Sequence, residues 1–150
     1  MHVVRCFDDP DIVHVTGAID PLRDIEIVST ELVLADLETV RKRLEKIGRD
    51  VKRGEKQALL EARLLEQLGG HLNAGKPANT LATPLAPDEK AIVRSFFLLT
   101  DKPTIFAANL KESELGVAAS NPRVNQVREY GLAHHACETI AVCAQLESDL

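Results

Sequence analysis

Apolar residues at Val33, Leu37, Val40, Leu44, Ile47 and Val51 stand four, three, four, three and four positions apart, and that rhythm leaves few folds open. It draws a narrow stripe along one side of an α-helix, of the kind that buries against a second helix. The helix carrying it is expected to start at Asp20-Pro21. An Asp side chain can accept from the N–H groups a helix start leaves unpaired, and Pro at the first helical position lacks one such group. Neither Gly nor Pro interrupts the run until Gly48, and Lys52-Arg53-Gly54 then breaks it. Ala58, Ala62, Leu65, Leu68 and Leu72 draw a second stripe as far as Gly75-Lys76-Pro77. Two long helices joined by a tight glycine-containing turn should fold back as an antiparallel hairpin, because each stripe needs a partner.

The flanking sequence has a different period. Met1 to Phe7 is a short β-branched run closed by Asp8-Asp9-Pro10 and reads as a buried strand; a chain that opens inside a strand reads as a piece of a longer one. Ile12 to Val15 is a second apolar snippet, too short to classify, followed by Gly17. Lys76 to Pro87 is a proline-rich connector, and Asp88 to Leu99 is expected to be a short helix with Ile92, Val93, Phe96 and Leu99 on one side. Pro103 to Asn109 is continuously apolar up to its last residue, as a strand buried on both faces should be. Asn121-Pro122 starts a further helix carrying Val124, Val127 and Leu132, and Thr139 to Ala144 is the last strand. Strand, helix, strand implies a right-handed parallel crossover. The fold class is α/β and helix-rich: a partial parallel sheet with an inserted antiparallel helical hairpin. Residues 1–19 supply a strand and loop, 20–75 the hairpin, and 76–150 the rest of the sheet.

The 150 residues hold 45% apolar and 27% charged side chains, the balance of an ordinary soluble domain. There is no apolar run long enough for a membrane span, and the start lacks the basic flank of a signal peptide; a cytoplasmic protein is expected. Cys6, Cys137 and Cys143 are odd in number and irregularly spaced, so reduced, partly buried thiols are expected. Between Arg41 and Lys56 eight basic side chains face three acidic ones, a local charge of +5 in a chain whose net charge is −5. The basic residues Arg41, Lys42, Lys46, Arg49, Lys52, Arg53 and Lys56 therefore mark the far end of the hairpin either as a merely solvated charged face, the usual case in coiled coils, or as a surface for RNA phosphates, bound without sequence specificity. No aromatic residue lies in the hairpin, so base stacking there is not expected.

Gly70-His71-Leu72-Asn73-Ala74-Gly75-Lys76-Pro77 nearly fits the phosphate-loop pattern G-x4-G-K-[ST]. That loop needs a preceding strand, a following helix and a hydroxyl on magnesium. Here a leucine-striped helix precedes, a proline-rich loop follows and Pro77 stands where the hydroxyl must be, so the segment reads as a helix end. Asn109-Leu110-Lys111-Glu112 is better placed, because ligands of parallel sheets bind beyond the carboxyl ends of the strands. An Asn amide suits the N7 edge of a purine, and a carboxylate three residues on can accept from ring and amino N–H groups. Glu112 is one methylene longer than the aspartate that reads guanine in Ras-type GTPases, which weakens guanine-specific reading. Cys143-Ala144-Gln145 ends the next strand as the Ser-Ala-Lys loop of those proteins does, with the backbone N–H of Ala144 expected at the base; Phe7 could line the pocket. His134, His135, Cys137 and Cys143 do not suggest a metal site, since adjacent histidines converge poorly on one ion and no C-x-x-C pair is present. No acid-base constellation is visible, and no catalytic residue is assigned.

Val3-Val4-Arg5-Cys6-Phe7-Asp8-Asp9, Asp11 to Val15, Asp20 to Ile27, Thr30-Glu31-Leu32 and Leu34 to Glu38 resemble, in this order, the YchF/Obg-like ATPase family. Leu99-Thr100, Lys102-Pro103-Thr104, Asn109 to Glu112 and Cys143-Ala144 with Glu147 continue the resemblance through the second half. It implies the C-terminal half of a P-loop NTPase G domain with its coiled-coil insertion, in a family that prefers ATP to GTP and associates with ribosomes or RNA. Some members are named GTP-dependent nucleic-acid-binding proteins. ATP or GTP with magnesium is then the cofactor of the full-length protein and none of the fragment, which lacks the phosphate loop, the switch segments and the TGS domain and is not expected to hydrolyse nucleotide alone. Cys143 and Gln145 depart from Ser-Ala-Lys, which weakens side-chain support of the base loop. The other reading is a non-enzymatic helical-hairpin module that docks on RNA or protein. Neither a membrane nor a particular DNA sequence is an expected partner.

Overall fold

The computed structural model describes residues 1–8, 19–135 and 137–149, in two compact units: Met1–Ile27 with Thr104–Leu150, and Val28–Pro103. The predicted snippet at Ile12 to Val15 and Gly17 lies outside the described residues.

The first unit is built on a three-stranded parallel sheet, order β1-β2-β3, from β1 (His2–Arg5), β2 (Phe106–Asn109) and β3 (Thr139–Val142). Val4 of β1 pairs with Ala108, and Ala108 with Ala141. Between β2 and β3 runs α5 (Pro122–His135), started by the Asn121 side chain, whose Oδ1 accepts the Arg123 N–H at 2.9 Å. Val124 and Val127 of α5 are fully buried against Val4, Phe106 and Ala108; each such burial contributes roughly 1.5–3 kcal/mol. The third contact on this face is Gly131, not the expected Leu132, which is 59% exposed. Position 131 continues the helical stripe from Val124 and Val127, and a side chain there would be crowded. A Cβ on Gly131 would stand 3.2 Å from the Cys137 carbonyl and from Phe106 Cδ2. As expected of a strand buried on both faces, Phe106, Ala107 and Ala108 of β2 are all nearly inaccessible, whereas Val3, Ile105 and Ile140 around it are about half exposed.

The long helix α1 (Pro21–Lys52) begins in the first unit, and in the second its remainder and α2 (Lys56–Asn73) run antiparallel around the turn at Arg53 to Glu55. Asp20 starts α1, its Oδ1 accepting the Arg23 N–H at 3.2 Å. Gly54, at φ +76°, makes the turn in a left-handed conformation that other residues rarely adopt. Val33 and Val40 interlock with Leu64, Leu65, Leu68 and Leu72, with Leu37, Leu44 and Ile47 partly buried beside them. Leu64, absent from the predicted stripe, widens the buried face of α2. Arg43 Nε donates to Glu61 Oε1 at 2.5 Å and its guanidinium lies 5.0 Å from the centre of the Phe96 ring.

The connector then packs with these helices, and α3 (Pro87–Arg94) follows it. This helix is shorter than the expected Asp88 to Leu99. Phe97 takes a left-handed φ of +54°, which ends the helical phase, so Phe96 and Leu98 turn inward and Leu99 is left 45% exposed. Asp36, buried in α1, fixes the chain beyond: its carboxylate accepts the N–H groups of Leu99 and Thr100, both at 2.7 Å, and the Thr100 hydroxyl at 2.6 Å. Thr100 Oγ1 in turn accepts the Ala78 N–H at 2.8 Å. Three donors onto one buried carboxylate compensate its removal from water.

Candidate functional site

The carboxyl ends of the three strands bring the predicted base-reading residues to one edge of the first unit. Arg5, Asn109 and Val142 are register partners. Phe7 therefore leaves β1, Asn109 to Glu112 leave β2, and Cys143 to Gln145 leave β3 on the same side. The two later loops are joined directly: Asn109 Oδ1 accepts the Ala144 backbone N–H at 2.9 Å. That N–H was expected at the base; in this structure it is donated to Asn109, and the Asn109 amide NH2 makes no hydrogen bond among the described residues.

The remaining residues divide by burial. Leu110 and Cys143 point their side chains into the interior, where they are nearly inaccessible. Leu110 extends the sheet by donating its N–H to the Val142 carbonyl at 2.8 Å. Phe7 is half-buried; Ala144 and Gln145 are exposed. Glu112 is exposed at the start of the short helix α4 (Glu112–Leu115), and its carboxylate makes no hydrogen bond or ion pair among the described residues. Its neighbour Glu114 instead caps the helix, accepting the Lys111 N–H at 3.2 Å. Beyond β3 the short helix α6 (Ala144–Asp149) begins at the bonded residue itself.

One charged contact at this edge escaped the sequence reading. Arg123, in the first turn of α5, donates to both oxygens of Asp8 at 2.9 and 3.2 Å and approaches the Cys6 carbonyl at 3.5 Å. The hydrogen bonds from Arg123 hold the Asp8 carboxyl below its usual range. Burial pushes the Cys6 thiol up to about 11, so the thiol stays protonated and unreactive near neutral pH. The available signal was an acid just past a strand end and a base just inside a helix start, residues far apart in sequence.

Of the basic residues singled out on the hairpin, Arg41, Lys42, Lys46, Arg49, Lys52, Arg53 and Lys56 are all exposed. Lys42 is paired with Glu38 at 2.9 Å and Arg53 lies 3.6 Å from Asp50. Arg43, the eighth cation of the cluster, is the one that turns inward. Gly70 to Pro77 form the end of α2: Gly75 adopts φ +75° and donates its N–H to Leu72 O at 2.8 Å. His71 Nε2 lies 3.0 Å from the Pro77 carbonyl and 2.9 Å from Thr80 Oγ1. At the other end of the sheet His134 and His135 pack against aromatic rings, His134 on Tyr130 and His135 edge-on to Phe106, with ring centres 4.5 and 5.4 Å apart. Cys6, Cys137 and Cys143 are buried and unpaired. No helix among the described residues is long and apolar enough to cross a membrane.

No family model matches the chain. Over 149 residues, 99% of its length, it is 38% identical to the ribosome-binding ATPase YchF of Bacillus subtilis, of which it covers 40%. It is 39% identical over 150 residues to the ribosome-binding ATPase YchF of Escherichia coli O157:H7, of which it covers 39%. The solved YchF GTPase of Schizosaccharomyces pombe shares the fold with a TM-score of 0.78 at 28% identity, over 98% of this chain and 40% of that one. The resemblance to YchF thus extends along practically the whole chain in sequence and in fold, while the chain spans about two fifths of the length of the relatives it matches.

Proposed function

We propose that this YchF-type chain supplies the purine-reading loops and the ribosome-facing helical arm of a P-loop NTPase, with adenine preferred to guanine. The observation that carries the reading is the bond from the Ala144 N–H to Asn109 Oδ1, which makes one recognition edge out of two loops at the carboxyl ends of parallel strands. With its oxygen engaged, Asn109 offers the purine N7 a donor. Glu112, three residues after Asn109 and without a hydrogen-bond partner among the described residues, accepts from the amino group of adenine. Its extra methylene fits guanine's N1 and N2 protons less well than an aspartate would.

Hydrolysis is not assigned to these residues. Phosphoryl transfer depends on positioned phosphate and magnesium ligands, and the one segment that approaches a phosphate loop in sequence is a helix end. ATP or GTP with magnesium belongs to this reading as the cofactor of a longer protein. The arm contributes its exposed cations to ribosomal RNA phosphates, and the protein works in the cytoplasm.

Glu112→Asp tests the reader directly. Adenosine and guanosine affinities, measured by calorimetry, should move toward guanosine; an unchanged ratio would remove Glu112 from the site. ATP turnover by the chain alone would contradict the division of labour.

A further inference from the structure

Beside α3 the second unit contains a cleft of about 720 Å³. Leu81, Leu85 and Val93 give it an apolar lining, and three cations border it: Lys90 and Arg94, one turn apart on α3, and Lys102 on the segment after Thr100. Asp101 is the only acid among its lining residues, so the cleft carries a formal charge of +2. None of the three cations is in an ion pair among the described residues. Glu89, the acid nearest to them in sequence on α3, is taken by Arg63 and by the Ala86 N–H.

Two like charges at this helical spacing repel, and a third nearby adds to the cost. The helix dipole accounts for Arg94 at the carboxyl end of α3, but not for Lys102 on another segment. The cleft is also built rather than incidental. The Asp36 carboxylate holds Leu99 and Thr100, and Thr100 holds Ala78 and Asn79 through its hydroxyl and its carbonyl at 2.8 and 3.1 Å. The stretches starting at Ala78 and at Asp101, both of which line the cleft, are therefore fixed relative to each other before any ligand arrives, which lowers the cost of binding.

We propose that this cleft binds a phosphorylated small molecule with a ring or other apolar body, the apolar part on Leu81 and Val93 and the phosphate among Lys90, Arg94 and Lys102. The volume is that of a small-molecule site. The formal charge matches a phosphate dianion better than a single carboxylate, and Arg94 can meet two phosphate oxygens at once. The cleft belongs to the second unit and Asn109 to the first, and binding in the cleft does not depend on base reading.

Phenyl phosphate titrated into the 150-residue chain, followed by amide NMR shifts, tests the proposal. Saturable shifts at Leu81, Val93, Arg94 and Lys102 are expected, with affinity at least about tenfold above that of inorganic phosphate and of benzoate. The Arg94→Gln, Lys102→Gln double variant, which changes only exposed side chains, should lose that affinity and keep its thermal midpoint, whereas Asn109→Ala should keep the affinity. Shifts that do not saturate, binding that survives the double variant, or equal affinity for inorganic phosphate or benzoate would overturn it.

Discussion

The side-chain carbonyl of Asn109 accepts the backbone N–H of Ala144 at 2.9 Å across 35 positions of sequence, tying the loop after β2 to the turn after β3. Asn109→Ala breaks that tie and is expected to cost about 1 kcal/mol, read from urea unfolding. Asn109→Asp keeps an acceptor for Ala144 and removes the amide donor. Near-normal stability with lost adenosine binding is the expected result, and it separates holding the loops from reading the base.

Asp36 accepts three hydrogen bonds while buried. Asp36→Ala leaves two backbone N–H groups and a hydroxyl without their partner, and a loss of about 3 kcal/mol or more is expected in urea. Asp36→Asn should fail similarly, because its NH2 would face donors. A loss below about 1 kcal/mol for either variant would show that water replaces the carboxylate.

Protonation acts on the first unit from both sides of neutrality. Burial, together with the positive N-terminus, holds the His2 imidazole below its ordinary 6.5, and burial does the same for His135. The unfolded chain then takes up protons before the folded one, so stability is complete above that value and declines as pH falls through it. At the alkaline end Cys6 is raised from 9.0 to about 11. The unfolded thiol ionises first, and stability declines as pH rises between those values. Urea midpoints across pH 5 to 11 check both limbs. His135→Phe should flatten the acid limb and Cys6→Ala the alkaline one.

On the hairpin, Arg49→Glu, Lys52→Glu and Arg53→Glu together are expected to weaken ribosome co-sedimentation and to reduce its salt dependence, since each phosphate contact releases counterions. The fold should be unaffected, as all three side chains are exposed. Arg43 behaves differently: its bond to Glu61 and its place over Phe96 make Arg43→Ala a stability variant, with an expected loss of about 1–2 kcal/mol. Unchanged co-sedimentation of the triple variant would leave the arm without its assigned role.

What could be read from the sequence was set by local period. Asp20-Pro21, the stripe from Val33 to Val51 and the break at Gly54 carry their own geometry, because each depends on residues within a turn or two. The end of α3 was not legible, since a left-handed Phe97 is a tertiary outcome that no propensity announces. Leu132 was chosen over Gly131 because apolarity marks a buried face more visibly than the absence of a Cβ. Asn109 and Ala144 were each legible as strand-end residues, but the bond between them depends on the register of β2 and β3. Nothing local marks the roles of Asp36 and Arg123, since their partners lie 64 and 115 positions away.

If Asn109, Glu112 and Ala144 form one purine-reading edge, adenosine titrated into the isotope-labelled chain must find it. Weak, saturable shifts confined to the amides of Phe7, Asn109 to Glu112 and Cys143 to Gln145, larger with adenosine than with guanosine and absent in Asn109→Asp, are the predicted result. Shifts centred elsewhere, or an equal response in Asn109→Asp, would contradict it.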